Sequence, residues 1–231
     1  MPSAAQVKKA IQPLLQRNSD LALINRFVII KPVHHIQRGI FFRSGSGDTF
    51  YPTWTVNVLF APQVLGFDSI WSRDVYAAPL RSGFYTYHSD VSELLCDRIE
   101  HVALPLLRQV QTVDDFVAFN TPERFPGQSL NGFEYIKVYV DIARGDFDAA
   151  LKFCEFVKAK GGYSDYMPWA YEVFAETLYP MLMANDRAGL AQYLKDFELT
   201  QVKGRGLEKF WEPTPFPLEF QACADDVKAT S

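Results

Sequence analysis

The feature that most constrains the fold of this chain is a change of hydrophobic period near its middle. Between residues 27 and 60, apolar and polar side chains alternate with a period of two, which is typical of β-strands. Between residues 91 and 203, apolar residues recur every three or four positions, which is typical of helices. Strands followed by helices, without interleaving, predict an α+β fold rather than a doubly wound nucleotide-binding fold.

The first part of the chain predicts one helix and a small antiparallel sheet. Residues 4–17 have an apolar helical face, and Pro13 is expected to kink or split this helix. Residues 27–30 are apolar at odd and even positions alike, which indicates a strand whose two faces are both covered. Residues 36–43 form a second candidate strand. A turn over residues 44–48 would connect it to a third, half-buried strand. The apolar face of that third strand would carry Phe50, Trp54, Val56, Val58 and Phe60, opposite Tyr51, Thr53, Thr55 and Asn57.

Residues 61–90 are interrupted by proline and glycine and predict little beyond one short strand near Phe84. From residue 91 the pattern is helical, and we expect Ser92 to cap the first of these helices. Pro105 marks a break or kink further along. The proline-, glycine- and polar-rich stretch 120–129 is the best internal boundary.

The sharpest local signal is a helical hairpin over residues 130–160. Gly145 suits the left-handed position after one apolar stripe, and Asp146 suits the cap of the next helix. With the small Ala149 and Ala150 at its crossing, the hairpin resembles one unit of a tetratricopeptide-type repeat. The resemblance covers a single repeat, whereas a solenoid needs about three, so we expect a helical layer and not a repeat array.

A second hairpin is expected to follow, with helices over 165–184 and 187–203 that turn at Asn185-Asp186. The proline-rich segment 211–218 should be extended. The sequence therefore predicts an N-terminal helix and a small antiparallel sheet packed against a C-terminal layer of antiparallel helical hairpins. We expect a single domain over residues 1–220, with a helix-plus-sheet part over 1–119, a helical layer over 130–210 and a disordered polar tail over 221–231.

Charge and cysteine content exclude several classes of protein. Residues 1–112 hold 11 Lys and Arg against 8 Asp and Glu, whereas residues 113–231 hold 12 against 19, so a nucleic-acid surface is not expected. The three cysteines, Cys96, Cys154 and Cys223, have neither metal-ligand nor redox spacing. The N-terminus lacks the apolar run of a signal peptide, and no segment has the length of a membrane span. We expect a cytoplasmic protein that is a monomer or homodimer and does not bind membranes.

One stretch of the sheet region is locally positive. Arg26, Lys31, Arg38 and Arg43 occur with His34 and His35 and without any acidic residue between 26 and 43. One interpretation is an anion or ligand site on the sheet. The other, which we favour, is that these side chains pair with carboxylates of the same chain. If a ligand site exists, its candidate residues are His34, Arg38, Arg43 and Trp54.

No catalytic or metal-binding motif is present. Adjacent histidines on a strand point to opposite faces, and Ser44-Gly45-Ser46-Gly47 precedes a strand where a phosphate loop would precede a helix. We therefore name no catalytic residue, no metal site and no cofactor. The sequence favours a non-enzymatic module that binds a protein partner, and the aromatic excess supports this hypothesis. The alternatives are a small-ligand or anion-binding domain and a hydrolase with an active site that no motif reveals.

Overall fold

The chain divides into two compact units, which we call the sheet unit and the helical unit. The sheet unit comprises Met1–Val58, Gln63–Phe119 and Lys203–Glu212, and the helical unit comprises Leu59–Pro62, Asn120–Val202 and Pro213–Ser231. The computed structural model describes residues 3–44, 49–62, 71–75, 84–85, 91–125, 130, 133–165 and 167–220. The turn predicted over 44–48, after Ser44, and the tail predicted over 221–231 lie outside the described residues. The single domain over residues 1–220 stays a prediction.

In its described residues, the sheet unit has one helix, then six strands and then a group of helices, and Lys203–Glu212 completes it. Its strands are β1 (Leu21–Ile24), β2 (Phe27–Ile30), β3 (Ile36–Ser44), β4 (Thr49–Val58), β5 (Trp71–Asp74) and β6 (Phe84–Tyr85). Its helices are α1 (Ala4–Arg17), α2 (Val91–Arg98), a π-helical turn (Ile99–Ala103), α3 (Leu104–Leu107) and α4 (Val113–Phe119). The strands follow the antiparallel order β1-β2-β3-β4-β5, and β6 also pairs with β4. The predicted α+β class, with an N-terminal helix, an antiparallel sheet and a mostly helical C-terminal part, is confirmed.

The register of β3 against β4 defines two faces of the sheet. Arg38 lies opposite Val56 and Ile40 opposite Trp54, so these side chains share one face, which we call the apolar face. The other, which we call the polar face, is made of Gln37, Gly39, Phe41 and Arg43 of β3 with Tyr51, Thr53, Thr55 and Asn57 of β4. On the apolar face the ring of Trp54 meets that of Phe119 at 5.8 Å, so α4 covers this side.

The prediction that β4 is half-buried is wrong. Its alternation is as expected, but Thr53, Thr55 and Asn57 on the polar face are at most 5% exposed. Polar side chains can be buried when hydrogen bonds satisfy them, and the Thr53 hydroxyl donates to the Asp74 carboxylate at 2.9 Å. In β4, therefore, the polar face of the strand is not an exposed one.

Helix α1 is continuous through Pro13, so the proline does not split it. The helix starts with a capping box, in which Ser3 Oγ accepts from the Gln6 amide and Gln6 Oε1 accepts from the Ser3 amide. Its buried face consists of Val7, Ile11 and Leu14. Because proline lacks only the amide that would bond to Lys9, and Lys9 is exposed, water can satisfy that carbonyl.

Ser92 is not the cap that the sequence predicts. Helix α2 already begins at Val91, and the Ser92 hydroxyl donates instead to the carbonyl of Ala10 in α1. Pro105 does accompany a helical irregularity, because the preceding π-helical turn bonds the Leu104 amide to the Ile99 carbonyl.

The helical unit contains α5 (Glu134–Arg144), α6 (Phe147–Lys160), a π-helical segment (Tyr171–Leu178), α7 (Tyr179–Met183) and most of α8 (Arg187–Gly204). The predicted hairpin is confirmed, since Gly145 has φ 80° and the Asp146 side chain accepts from the Ala149 amide. The second predicted turn is also confirmed, with Asn185 at φ 50°. The rings of Phe174, Tyr193 and Phe197 surround Tyr139 at 6.0, 6.5 and 6.2 Å.

The segment predicted to be extended over 211–218 is extended only as far as residue 216. Residues 217–220 are helical, because Pro217 occupies a first-turn position where the missing amide costs nothing. Phe216 is fully buried, and its ring lies 5.2 Å from that of Phe60 within the helical unit.

Candidate anion-binding cleft

The polar face of the sheet unit bears an open cleft of about 340 Å³, which we call the arginine cleft. Its size is within the range of small-ligand sites. Its walls come from the β1–β2 hairpin, from the middle of β3 and from the end of α8. The described residues that line it are Ile24, Asn25, Arg26, Phe27, Ile29, Gln37, Phe41, Gly204 and Arg205.

A two-residue hairpin turn places Arg26 at one end of the cleft. Asn25 has φ 55°, a left-handed conformation that asparagine tolerates better than most residues. The turn is fixed to the next strand because the Phe42 amide donates to the Arg26 carbonyl at 3.0 Å. Phe27 follows in β2 opposite Phe41, with their ring centroids 6.3 Å apart.

The chain after α8 places Arg205 at the other end. Arg205 Nη1 donates to Gln37 Oε1 at 2.7 Å, which holds the guanidinium over the start of β3. The following segment is anchored to Val33, whose amide donates to the Phe210 carbonyl and whose carbonyl accepts from the Glu212 amide. These two backbone hydrogen bonds fix the wall of the cleft that is most distant in sequence.

The arginine cleft combines positive charge with apolar surface. Two guanidinium groups line it, and none of its described lining residues is acidic. Guanidinium groups bind carboxylate and phosphate with paired hydrogen bonds, and the Phe27 and Phe41 rings offer surface for an apolar or aromatic group. The arrangement is therefore suited to an anion that carries an apolar body.

None of the four ligand-binding residues predicted from the sequence lines the arginine cleft, and the structure does not bring all four together. Arg38 and Trp54 lie on the apolar face, each 5% exposed. Arg38 Nε and Nη1 make no hydrogen bond to any described residue. Burial lowers the pKa of the Arg38 guanidinium, whereas the charges of Asp115 and Asp20 raise it. Arginine nevertheless stays a cation, so this is a buried charge with acidic neighbours.

The other two predicted residues are on or near the periphery of the sheet. Arg43 pairs with Asp74 and donates from Nε to Thr53 Oγ1 at 3.0 Å. His34 lies between β2 and β3, with Nδ1 3.0 Å from the carbonyl oxygen of Glu212. The role of all four residues in ligand binding stays a prediction.

Arg26 belongs to the positive stretch that the sequence singles out, yet Arg205 has no comparable signal. Arg205 and Gln37 are 168 positions apart, and nothing near Arg205 in the sequence indicates that it approaches β3. A glycine follows it, and Gly206 adopts φ 66°, which allows the chain to reverse after α8. The only local hint is therefore a helix end, which does not identify what lies opposite it.

Two buried cysteines show no activated chemistry. Burial raises the pKa of the Cys96 thiol, and burial raises that of Cys154 to about 12. Both are therefore thiols at neutral pH and poor nucleophiles. Among the residues that the structure describes, no group of three or more His, Cys, Asp or Glu side chains could hold a metal ion.

Comparison with known protein families, with curated proteins and with solved structures finds no match to this chain. None of the helices in the described part of the chain is both long and apolar enough to cross a membrane.

Proposed function

We propose that the protein binds a small anionic ligand with an apolar body in the arginine cleft. The observation that carries this proposal is the lining of one cleft by Arg26 and Arg205 together with two aromatic rings and no described acidic residue. This develops the small-ligand alternative of the sequence analysis and moves the site from the Arg38–Trp54 side of the sheet to its opposite face.

Positioning of Arg205 supports the proposal. Its hydrogen bond to the buried Gln37 holds one side of the guanidinium, and a guanidinium has five N–H donors in a planar fork. Binding of a carboxylate or phosphate orders the arginine side chain, and this costs conformational entropy. The cost is smaller when the guanidinium is already held in place before the ligand binds. Arg205 is therefore the expected anchor and Arg26 the second contact.

The proposal is tested by calorimetric titration with naphthalene-2-carboxylate, an aromatic anion smaller than the cleft. Because a hydrogen bond to a charged group contributes about 1.5–3 kcal/mol, we expect Arg205→Gln to weaken binding by roughly tenfold or more. We expect Arg26→Gln to weaken it less. Lys209→Gln is the matched control, since this exposed cation lies in the same segment but does not line the cleft.

Equal affinities in all four proteins would show that the anion binds elsewhere, and no binding to the wild-type protein would refute the proposal for this ligand class.

A cytoplasmic location and a monomeric or homodimeric state belong to the proposal as well, and size-exclusion chromatography with light scattering tests the oligomeric state. The protein-binding module stays a prediction. The helical unit does expose Phe156, Met183 and Phe220, but single exposed apolar side chains are common on protein surfaces.

A further inference from the structure

A buried hydroxyl beside the arginine cleft has no hydrogen-bond partner among the described residues. Thr55 in β4 is 2% exposed, and its Oγ1 makes no hydrogen bond to them. Thr53, two residues earlier on the same face, has its hydroxyl bonded to Asp74 and Arg43. A buried unpaired hydroxyl destabilises a fold, and valine would fill the same space without that cost.

The position of Thr55 connects this hydroxyl to the cleft. Thr55 pairs directly with Gly39, which lies between Gln37 and Phe41 on the same face of β3. Both of those neighbours line the arginine cleft. Thr55 is therefore one strand away from the cleft, on the side of the sheet that the cleft occupies.

The Val28 carbonyl oxygen and the Phe27 ring occupy the space that a side chain at position 39 would fill. A Cβ added to Gly39 would lie 1.9 Å from that oxygen and 2.8 Å from Phe27 Cε1. The carbonyl is backbone and stays with its strand, whereas Phe27 is only half-buried and lines the cleft, so rotation of its ring about the side-chain bonds would widen the cleft beside the carbonyl, toward β4.

We propose that the arginine cleft extends past Phe27 to Thr55, whose hydroxyl hydrogen-bonds a second polar group of the ligand. This inference rests on the proposed function and deepens it, because it assigns the ligand a hydroxyl or carbonyl at the end opposite its anionic group. Thr55 lies one strand across from β3, two residues along from Gln37. The distance between the Cα atoms of Gln37 and Thr55 is therefore roughly 8 Å. The ligand class is a flat apolar anion with a distal hydroxyl or carbonyl at about that separation.

Two probes that differ by one hydroxyl test this inference. In 6-hydroxynaphthalene-2-carboxylate the hydroxyl and the carboxylate are at opposite ends of the ring system, whereas naphthalene-2-carboxylate lacks the hydroxyl. We expect the wild-type protein to bind the hydroxylated probe about fivefold more tightly, as one neutral hydrogen bond allows. In Thr55→Val this preference should disappear while the affinity for naphthalene-2-carboxylate stays unchanged. Thr200→Val, on the exposed side of α8, is the control and should keep the preference.

A stability measurement separates recognition from a structural role. If the Thr55 hydroxyl is unpaired in the fold, Thr55→Val should unfold at a higher denaturant concentration than the wild-type protein. Lower stability of Thr55→Val would overturn the inference, because the hydroxyl would then have a partner within the protein. A wild-type protein without hydroxyl preference, or a preference that survives Thr55→Val, would also overturn it while leaving the anion site intact. If neither probe binds, the proposed function itself fails for this ligand class.

Discussion

The two faces of the sheet unit are both buried at β4, but they differ in what they bury. On the apolar face, aromatic rings close the interior, and Trp71 of β5 meets Phe116 of α4 at 4.8 Å. On the polar face, β4 buries threonine and asparagine side chains, and the open arginine cleft lies over β2 and β3. One face therefore has the composition of an ordinary core, and the other combines buried polar side chains with an open cleft.

This difference in composition predicts that the two faces contribute differently to stability and to the proposed ligand binding. Burial of apolar area stabilises a protein, whereas burial of polar groups contributes little even when they are paired. Arg38 is a buried cation on the apolar face, and the charges of Asp115 and Asp20 act on it. We expect substitutions on the apolar face to change stability most and those on the polar face to change ligand binding most.

The largest effect is expected for Phe116→Ala on the apolar side. Phe116 is fully buried and contacts Trp71, so truncation leaves a cavity and should lower the free energy of unfolding by about 3–5 kcal/mol. Denaturant titration measures this change. Leu94→Ala is the control, because Leu94 in α2 is 37% exposed and its truncation should cost less than about 1 kcal/mol. Similar losses for the two variants would contradict the assignment of the core to this face.

A smaller loss of stability is expected for Gly39→Ala, which probes the contact between β2 and β3. The added Cβ would lie 1.9 Å from the Val28 carbonyl oxygen, a backbone atom that can move only with its strand. We expect a loss of roughly 1–3 kcal/mol, together with a change in affinity for naphthalene-2-carboxylate as Phe27 is displaced. Gly204→Ala serves as the control in denaturant titration, since nothing lies within 4 Å of a Cβ at that position. A Gly39→Ala protein as stable as the wild type would mean that the strands are spaced differently.

The smallest effect on the free energy of unfolding is expected from a buried carboxyl group of the helical unit, Asp141 in α5. Burial raises the pKa of Asp141 above its usual 3.8, although the Lys137 ammonium at 2.6 Å lowers it in part. The folded state then holds this proton more tightly than the unfolded state, so the contribution of Asp141 to stability falls as pH rises from about 3.8 through the raised pKa.

The difference in unfolding free energy between wild type and Asp141→Asn, measured by denaturant titration at a series of pH values, should show that decline. Lys137→Gln, which removes the paired ammonium, should enlarge it. A difference that grows in favour of the wild type as pH rises would instead mean that the Lys137 pair outweighs burial and lowers the pKa.

The sequence was most informative where structure is determined locally. Gly145 and Asp146 define a helix end and a helix start through their own conformational and hydrogen-bonding preferences, and both were predicted correctly. The alternation in β4 likewise identified which residues share a face. The exposure of those faces was not predictable, because what covers a strand depends on segments far away in the chain.

The arginine cleft illustrates the same limit for function. Arg26 lies in a positive stretch that the sequence makes conspicuous, whereas Arg205 reaches the cleft only because the chain after α8 returns to Val33. The predicted residues His34, Arg38, Arg43 and Trp54 were grouped because they are close in sequence. Arg38 and Arg43 are an even and an odd position of β3, so their side chains lie on opposite faces of the sheet. A contact over 168 positions leaves no local pattern.

The most direct test of the account is to map where 6-hydroxynaphthalene-2-carboxylate binds, by following backbone amide chemical shifts during a titration. We predict that the shifts concentrate at Phe27 and Gln37 on the polar face and at Arg205 above it, and extend to Thr55, with Phe116 on the opposite side unaffected. Shifts centred on α4, shifts confined to the helical unit, or no shifts at all would contradict the assignment of the polar face as the binding face.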